Sequence, residues 1–149
     1  MSGDLTELEP VQKLPLIEQR VVFDTYPPGV RVGCDIVRRG RISEVIKRRG
    51  DGFASLLFNE AELARSEEGP SLELQFGLKE SVLKAIGRGM SGAVDLHQVD
   101  TSSEALCVKG ALAELAGDVD IVQDTTLDAE HVVTCVWLVP KEQEDPCDT

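Results

Sequence analysis

The segment His131–Val139, HVVTCVWLV, constrains the fold most. It is apolar on both faces, as a strand in the middle of a sheet is, so the rest of the chain must supply neighbours for it. Val30–Val37 is one. It alternates, with Val30, Val32, Cys34 and Ile36 on one face and Arg31, Gly33 and Asp35 on the other, the pattern of a half-buried strand. Leu16–Asp24 precedes it across the turn residues Thr25-Tyr26-Pro27-Pro28-Gly29, so the two are expected to form a hairpin. Phe53–Phe58, Leu72–Phe76, Ala93–Val99 and Val119–Gln123 read as further strands.

Three helices fit between them. Arg41–Arg49 turns Ile42, Val45 and Ile46 inward and ends at Gly50. Leu78–Ile86 carries Leu78, Val82, Leu83 and Ile86 on one stripe. Ser102–Ala116 is expected to begin at a capping box of Thr101 and Glu104 and to stop at Gly117. Asn59–Gly69 fits a short helix or a wide loop. The expected fold is α+β, a mixed sheet of about seven strands with three helices. Residues 45–53 and 82–90 share a helix end, a G-x-G turn and a following apolar residue. If this is a repeat, residues 30–99 spell an elaborated ferredoxin-like β-α-β-β-α-β core; if not, helix-to-strand turns have converged on glycine.

The chain has 149 residues, a usual size for one domain. Residues 1–15 read as an acidic arm, 16–140 as the domain and 141–149 as an acidic tail. The N-terminus lacks the basic and apolar regions of a secretory signal, and no apolar run approaches a bilayer's thickness, so a cytoplasmic location is expected. The four cysteines, at 34, 107, 135 and 147, show no close spacing and read as buried small hydrophobes, with Cys147 as a thiol in the tail.

The net charge of −12 is unevenly spread. Between Arg31 and Arg49 lie seven of the fifteen basic residues and only two acids, Asp35 and Glu44, a local charge of +5 that leaves −17 elsewhere. Arg38, Arg39, Arg41, Arg48 and Arg49 are therefore the candidate anion-binding residues, with forked donors suited to phosphate or carboxylate. A charge-rich helix facing only water is the commoner arrangement.

Other motifs are weaker. Gly87–Gly92 matches G-x-G-x-x-G, but it follows a helix rather than opening one, so phosphate would meet the negative helix end. Asp95 and His97 share a predicted strand face, yet no nucleophile accompanies them. His97, His131, Cys107 and Cys135 have zinc-type donors, but a strand would hold His131 and Cys135 ~13 Å apart. No metal, cofactor or catalytic set is assigned. The preferred expectation is a self-associating binding module, pairing through an edge strand at Leu72–Phe76, with an anionic ligand at the basic corner. The alternatives are a small enzyme acting on an anionic metabolite, or nucleic-acid binding at the same corner, which the overall charge disfavours.

Overall fold

A computed structural model of the protein describes residues 29–88 and 93–142. The arm at 1–15, the expected strand Leu16–Asp24 with its turn, and residues 143–149 of the tail lie outside them.

The main sheet has three antiparallel strands: β1 (Arg31–Arg38), β4 (Val119–Leu127) and β5 (His131–Pro140), in the order β1-β5-β4. The doubly apolar segment is thus the central strand, as its pattern requires. Along it Val132, Thr134, Val136 and Leu138 are buried on one face, while Val133, Cys135 and Trp137 are half-buried on the other. A separate ribbon pairs β2 (Val99–Asp100) with β3 (Cys107–Val108).

Six helices complete the described residues: α1 (Arg41–Arg49), α2 (Asp51–Leu57), α3 (Glu60–Glu68), α4 (Leu72–Ile86), α5 (Ala93–His97) and α6 (Gly110–Ala116). This corrects the expectation of a seven-strand sheet with three helices, and the ferredoxin-like order is absent. The first G-x-G turn leads into α2, not a strand, and the second runs into residues outside the described set. Phe53–Phe58 is mostly helix, burying Ala54 and Phe58 one turn apart. Asn59–Gly69 resolves as helix: the Asn59 side chain accepts from Glu62 N, and Glu62 accepts from Asn59 N, a capping box.

Leu72–Phe76 departs further from expectation. Its alternation mimics a strand, but Ser71 caps a helix there, its hydroxyl accepting from Leu74 N. The polar residues of the alternation are the buried ones: Glu73 is 4% and Gln75 0% exposed. Glu73 Oε1 accepts from Ile42 N, Ser43 N and Ser43 Oγ. It thereby caps α1, whose own N-cap, Gly40, offers no side chain. An edge strand for self-association is therefore absent at this place.

Thr101 and Glu104 begin no helix either. Thr101 is fully buried and its hydroxyl donates to Glu62 and Gln75 instead. The helical reading of 102–116 keeps only α6 and its stop at Gly117, whose φ of 75° suits glycine. Ala93–Val99 is a helical turn followed by β2.

The core lies between α4 and the sheet. Leu78, Val82, Leu83 and Ala85 of α4 meet Val136 and Leu138 of β5, with Leu96, Val99, Leu112 and Ala116 closing the sides. Each fully buried aliphatic side chain contributes roughly 1.5–3 kcal/mol. A smaller cluster of Val37, Ile42 and Phe58 joins β1, α1 and the end of α2.

Candidate active site

The face of β1 that meets α4 is not the apolar one. Gly33 and Val37 are buried against the helix, while Val32, Cys34 and Ile36 are exposed on the outer face, reversing the expected orientation. Gly33 is the reason. A Cβ there would lie 1.9 Å from the Ser81 carbonyl oxygen and 2.5 Å from Ala85 N, so only glycine lets α4 close onto the strand. Ser81 then shares a hydrogen bond with the Thr134 hydroxyl at 2.8 Å, fixing α4 to the central strand.

This close approach gathers Asp35 of β1 with Glu80 and Lys84 of α4. Lys84 Nζ lies 2.7 Å from Asp35 Oδ1 and donates to the Cys34 carbonyl at 3.0 Å. Glu80 is 5% exposed, and among the described residues nothing hydrogen-bonds its carboxylate. Burial pushes its carboxyl above the usual range, the negative charge of Asp35 pushes it further, and Lys84 offsets part of the rise. A buried carboxylate facing a second one is relieved by a proton or by a cation. Two hard oxygen donors suit a divalent ion such as Mg²⁺, which takes one or two carboxylates and completes its shell with water and substrate. Lys84 adds a point charge of the kind that binds phosphate. Just past α4, Arg88 Nε lies 3.6 Å from Asp95 Oδ2.

Behind the site runs a fully buried network. Lys79 Nζ pairs with Glu62 at 2.9 Å and donates to the Leu96 carbonyl. Burial pushes the Glu62 carboxyl up, but hydrogen bonds from Thr101, Asn59 and Lys79 outweigh it and hold the group below its usual value. For Lys79, burial lowers the ammonium and Glu62 only partly offsets this.

The candidate arginines are all exposed and line one strand–helix corner. Arg38 forms an ion pair with Glu44 at 2.8 Å. Arg39 and Arg41 flank the start of α1. Arg48 and Arg49 lie in its last turn, Arg49 over the Phe53 ring at 5.3 Å. Arg41 and Arg48 are ~10 Å apart along the helix, so the cluster is a surface rather than a point.

The Asp95–His97 pairing does not form: the two sit on a helical turn, Asp95 with Arg88, and His97 Nε2 2.8 Å from the Ser55 carbonyl. His131 lies beside Asp128. Among the described residues no three His, Cys, Asp or Glu side chains form a metal cluster, so the zinc-type set stays apart. The cysteines depart from expectation. Cys34 and Cys107 are exposed, and Cys34 Sγ touches Cys135 Sγ at 2.6 Å. Asp35 and Glu80 were missed by sequence reasoning. The available signal was an acid in a strand bounded by two arginines and the Glu80–Lys84 pair, four apart on one face of the helix expected at Leu78–Ile86.

Comparison with known proteins gives consistent matches. Residues 31–135 fit the family model of the 4'-phosphopantetheinyl transferase superfamily. A holo-[acyl-carrier-protein] synthase of Vibrio cholerae is 31% identical over 101 residues, 62% of this chain and 80% of the relative. One of Methylobacterium nodulans is 34% identical over 97 residues, 58% and 74% of the two chains. The crystal structure of holo-[acyl-carrier-protein] synthase from Neisseria meningitidis superposes with a TM-score of 0.59 at 25% identity, covering 72% of this chain and 96% of that one. An ACPS–CoA complex from Chronobacterium ammoniagenes gives a TM-score of 0.59 at 22% identity over 76% and 98%, a likeness of fold.

Proposed function

The chain belongs to the 4'-phosphopantetheinyl transferase superfamily, and on that premise we propose that it moves the 4'-phosphopantetheinyl group of coenzyme A onto a hydroxyl of an acyl-carrier protein. This replaces the expectation of a binding module without chemistry. Of the readings drawn from sequence, a small enzyme acting on an anionic metabolite is the one that family membership supports.

The observation that carries the proposal is the Asp35–Glu80–Lys84 cluster. In the reaction, the carrier hydroxyl oxygen bonds to the phosphorus bearing pantetheine, and the diphosphate P–O bond breaks. Adenosine 3',5'-bisphosphate leaves with the electron pair, and the hydroxyl proton passes to a base. Asp35 and Glu80 are the residues that would hold a divalent cation, which when bound supplies positive charge to the diphosphate. Lys84 orients a phosphate oxygen at the same point.

The basic corner of Arg38, Arg39, Arg41, Arg48 and Arg49 serves, in this reading, as the landing surface for an acidic face of the carrier protein. Arg38 lies three residues beyond Asp35 on β1, ~10 Å along the strand and on its other face, so the basic corner begins at the end of the strand that carries Asp35. Self-association belongs to the same reading. Val32 and Ile36 are 52% and 64% exposed beside Val133 and Trp137, and a second copy of the chain is the occupant proposed for that apolar face. A cytoplasmic location completes the proposal; no helix among the described residues is long and apolar enough to cross a membrane.

The test is transfer from coenzyme A to an apo carrier protein in a magnesium buffer, followed by the mass of the carrier. Asp35→Asn and Glu80→Gln should each lower kcat by on the order of 100-fold while the chain stays folded at the assay temperature. Arg41→Glu combined with Arg48→Glu should instead raise KM for the carrier protein, most at low salt. Full activity of the Asp35→Asn/Glu80→Gln double variant refutes the site. Light scattering over a concentration series checks self-association, and a monomer throughout refutes it.

A further inference from the structure

We infer that Cys34 and Cys135 are a site of cross-strand disulfide formation, closed by a low-molecular-weight disulfide as oxidant. The antiparallel register of β1 and β5 sets Cys34 directly opposite Cys135. Directly opposed residues have Cα atoms ~4.5–5.5 Å apart, within the ~4.4–6.8 Å that a disulfide spans. Both side chains point to the outer face of the sheet and their sulfurs already touch, at 2.6 Å. Cys107 sits on the separate β2–β3 ribbon.

The two thiols have different parts in the step. Cys34 is exposed and Cys135 half-buried, so Cys34 is the one an external disulfide reaches. Its thiolate attacks, forms a mixed disulfide and expels one external thiolate. Cys135 then gives its proton to that thiolate, attacks the Cys34 sulfur and expels the second external thiolate, which takes up from solvent the proton that Cys34 released. Two protein thiols are oxidised by two electrons, and one external disulfide becomes two thiols. Burial, with the neighbouring Cys34 and Asp124, pushes the Cys135 thiol up to about 12, which suits a resolving thiol and not an initiating one.

The bond would close a loop spanning 101 sequence positions, which contains α1 through β4. Loops of that length lose the most chain entropy on closure. Asp35 projects from the opposite face of β1, so the latch lies behind the carboxylate site without crossing it. The inference is independent of the transferase reading.

The full-length chain is refolded from denaturant into glutathione buffers of graded redox poise. Refolding exposes the thiols whether or not the outer face is later covered by a second copy. In the oxidising buffers the expected product is a chain not covalently linked to another copy and lighter by two hydrogens, with one non-reduced peptide joining Cys34 to Cys135. Its melting temperature should exceed that of the reduced chain by roughly 10 °C. Cys34→Ser and Cys135→Ser should each abolish both signals, and Cys107→Ser neither. Free thiols at 34 and 135 in pure oxidised glutathione, a glutathione adduct stalled on Cys34, or a link made through Cys107 would each overturn the inference.

Discussion

Lys79→Met tests how the interior carries charge. The side chains of Lys79 and Glu62 are both 0% exposed and pair at 2.9 Å. Glu62 also accepts from Asn59 N, Thr101 N and the Thr101 hydroxyl, and Lys79 lies 5.7 Å from the Phe58 ring centroid. Methionine keeps most of the bulk and removes the cation, leaving a buried carboxylate whose cheapest escape is to take a proton. At pH 7 that is 2.5 pH units above the ordinary value of 4.5, and at ~1.4 kcal/mol per unit it costs about 3.4 kcal/mol. The figure agrees with the ~3–5 kcal/mol typical of a buried pair deprived of one partner. The Leu96 carbonyl, losing its donor, adds about 1 kcal/mol at every pH. In the variant the folded-state pKa of Glu62 lies above the unfolded one, so the folded chain binds more protons and stability falls as pH rises between the two values. In the wild type the shift is downward, and its contribution is lost only on acidification below the usual carboxylate range. Urea unfolding of both proteins at pH 5, 6 and 7 should show a stability gap widening by ~1.4 kcal/mol per unit. A gap equal at pH 5 and pH 7 refutes the reasoning. Lys79→Met with Glu62→Gln should flatten the pH dependence.

Two further outcomes follow from the seam. Gly33→Ala should cost at least the ~1–3 kcal/mol of ordinary overpacking, because its neighbours are backbone atoms of α4 that can yield only if the helix moves; a melting temperature within a degree of wild type would contradict this. Glu80, with its folded pKa raised by burial and then by Asp35, stabilises the chain least once pH passes through that raised value. Glu80→Gln should therefore melt higher than the wild type at pH 8 in the absence of divalent ions and equally at pH 4. Magnesium should raise the wild-type melting temperature but not the variant's, and an identical magnesium response in both would remove Glu80 from the site.

Much of the sheet, α1 and the second half of α4 were legible from periodicity alone. β5 was marked by apolar residues on both faces, β1 by alternation, and α1 by its stripe and terminal glycine, because each pattern reflects local geometry. Two of the failures share a cause: polar residues satisfied by distant partners. Glu73 and Gln75 look like the wet face of a strand, yet they are buried because Ile42, Ser43 and Thr101 bond to them. Thr101 looks like a cap, yet its hydroxyl is committed to Glu62 and Gln75. The faces of β1 were inverted because a glycine, with no side chain to score, decides which side a helix can approach. The basic corner was visible in composition. The carboxylate site was not, since Asp35 and Glu80 are 45 positions apart in sequence and become neighbours only through Gly33.

Helix α4 also sets where the chain can change length. Along Leu72–Ile86, Glu73 caps α1, Gln75 and Lys79 enter the buried network, Ser81 bonds the central strand, and Glu80 and Lys84 reach the carboxylate site. An α-helix turns ~100° per residue. One inserted or deleted residue inside α4 would therefore swing every later side chain by that angle, sending Glu80 away from Asp35 and Lys79 away from Glu62 together. Relatives of this chain should accordingly differ in length in the stretch between β2 and β3, at residues 102–106, or beyond Pro140, and keep α4 at a fixed count.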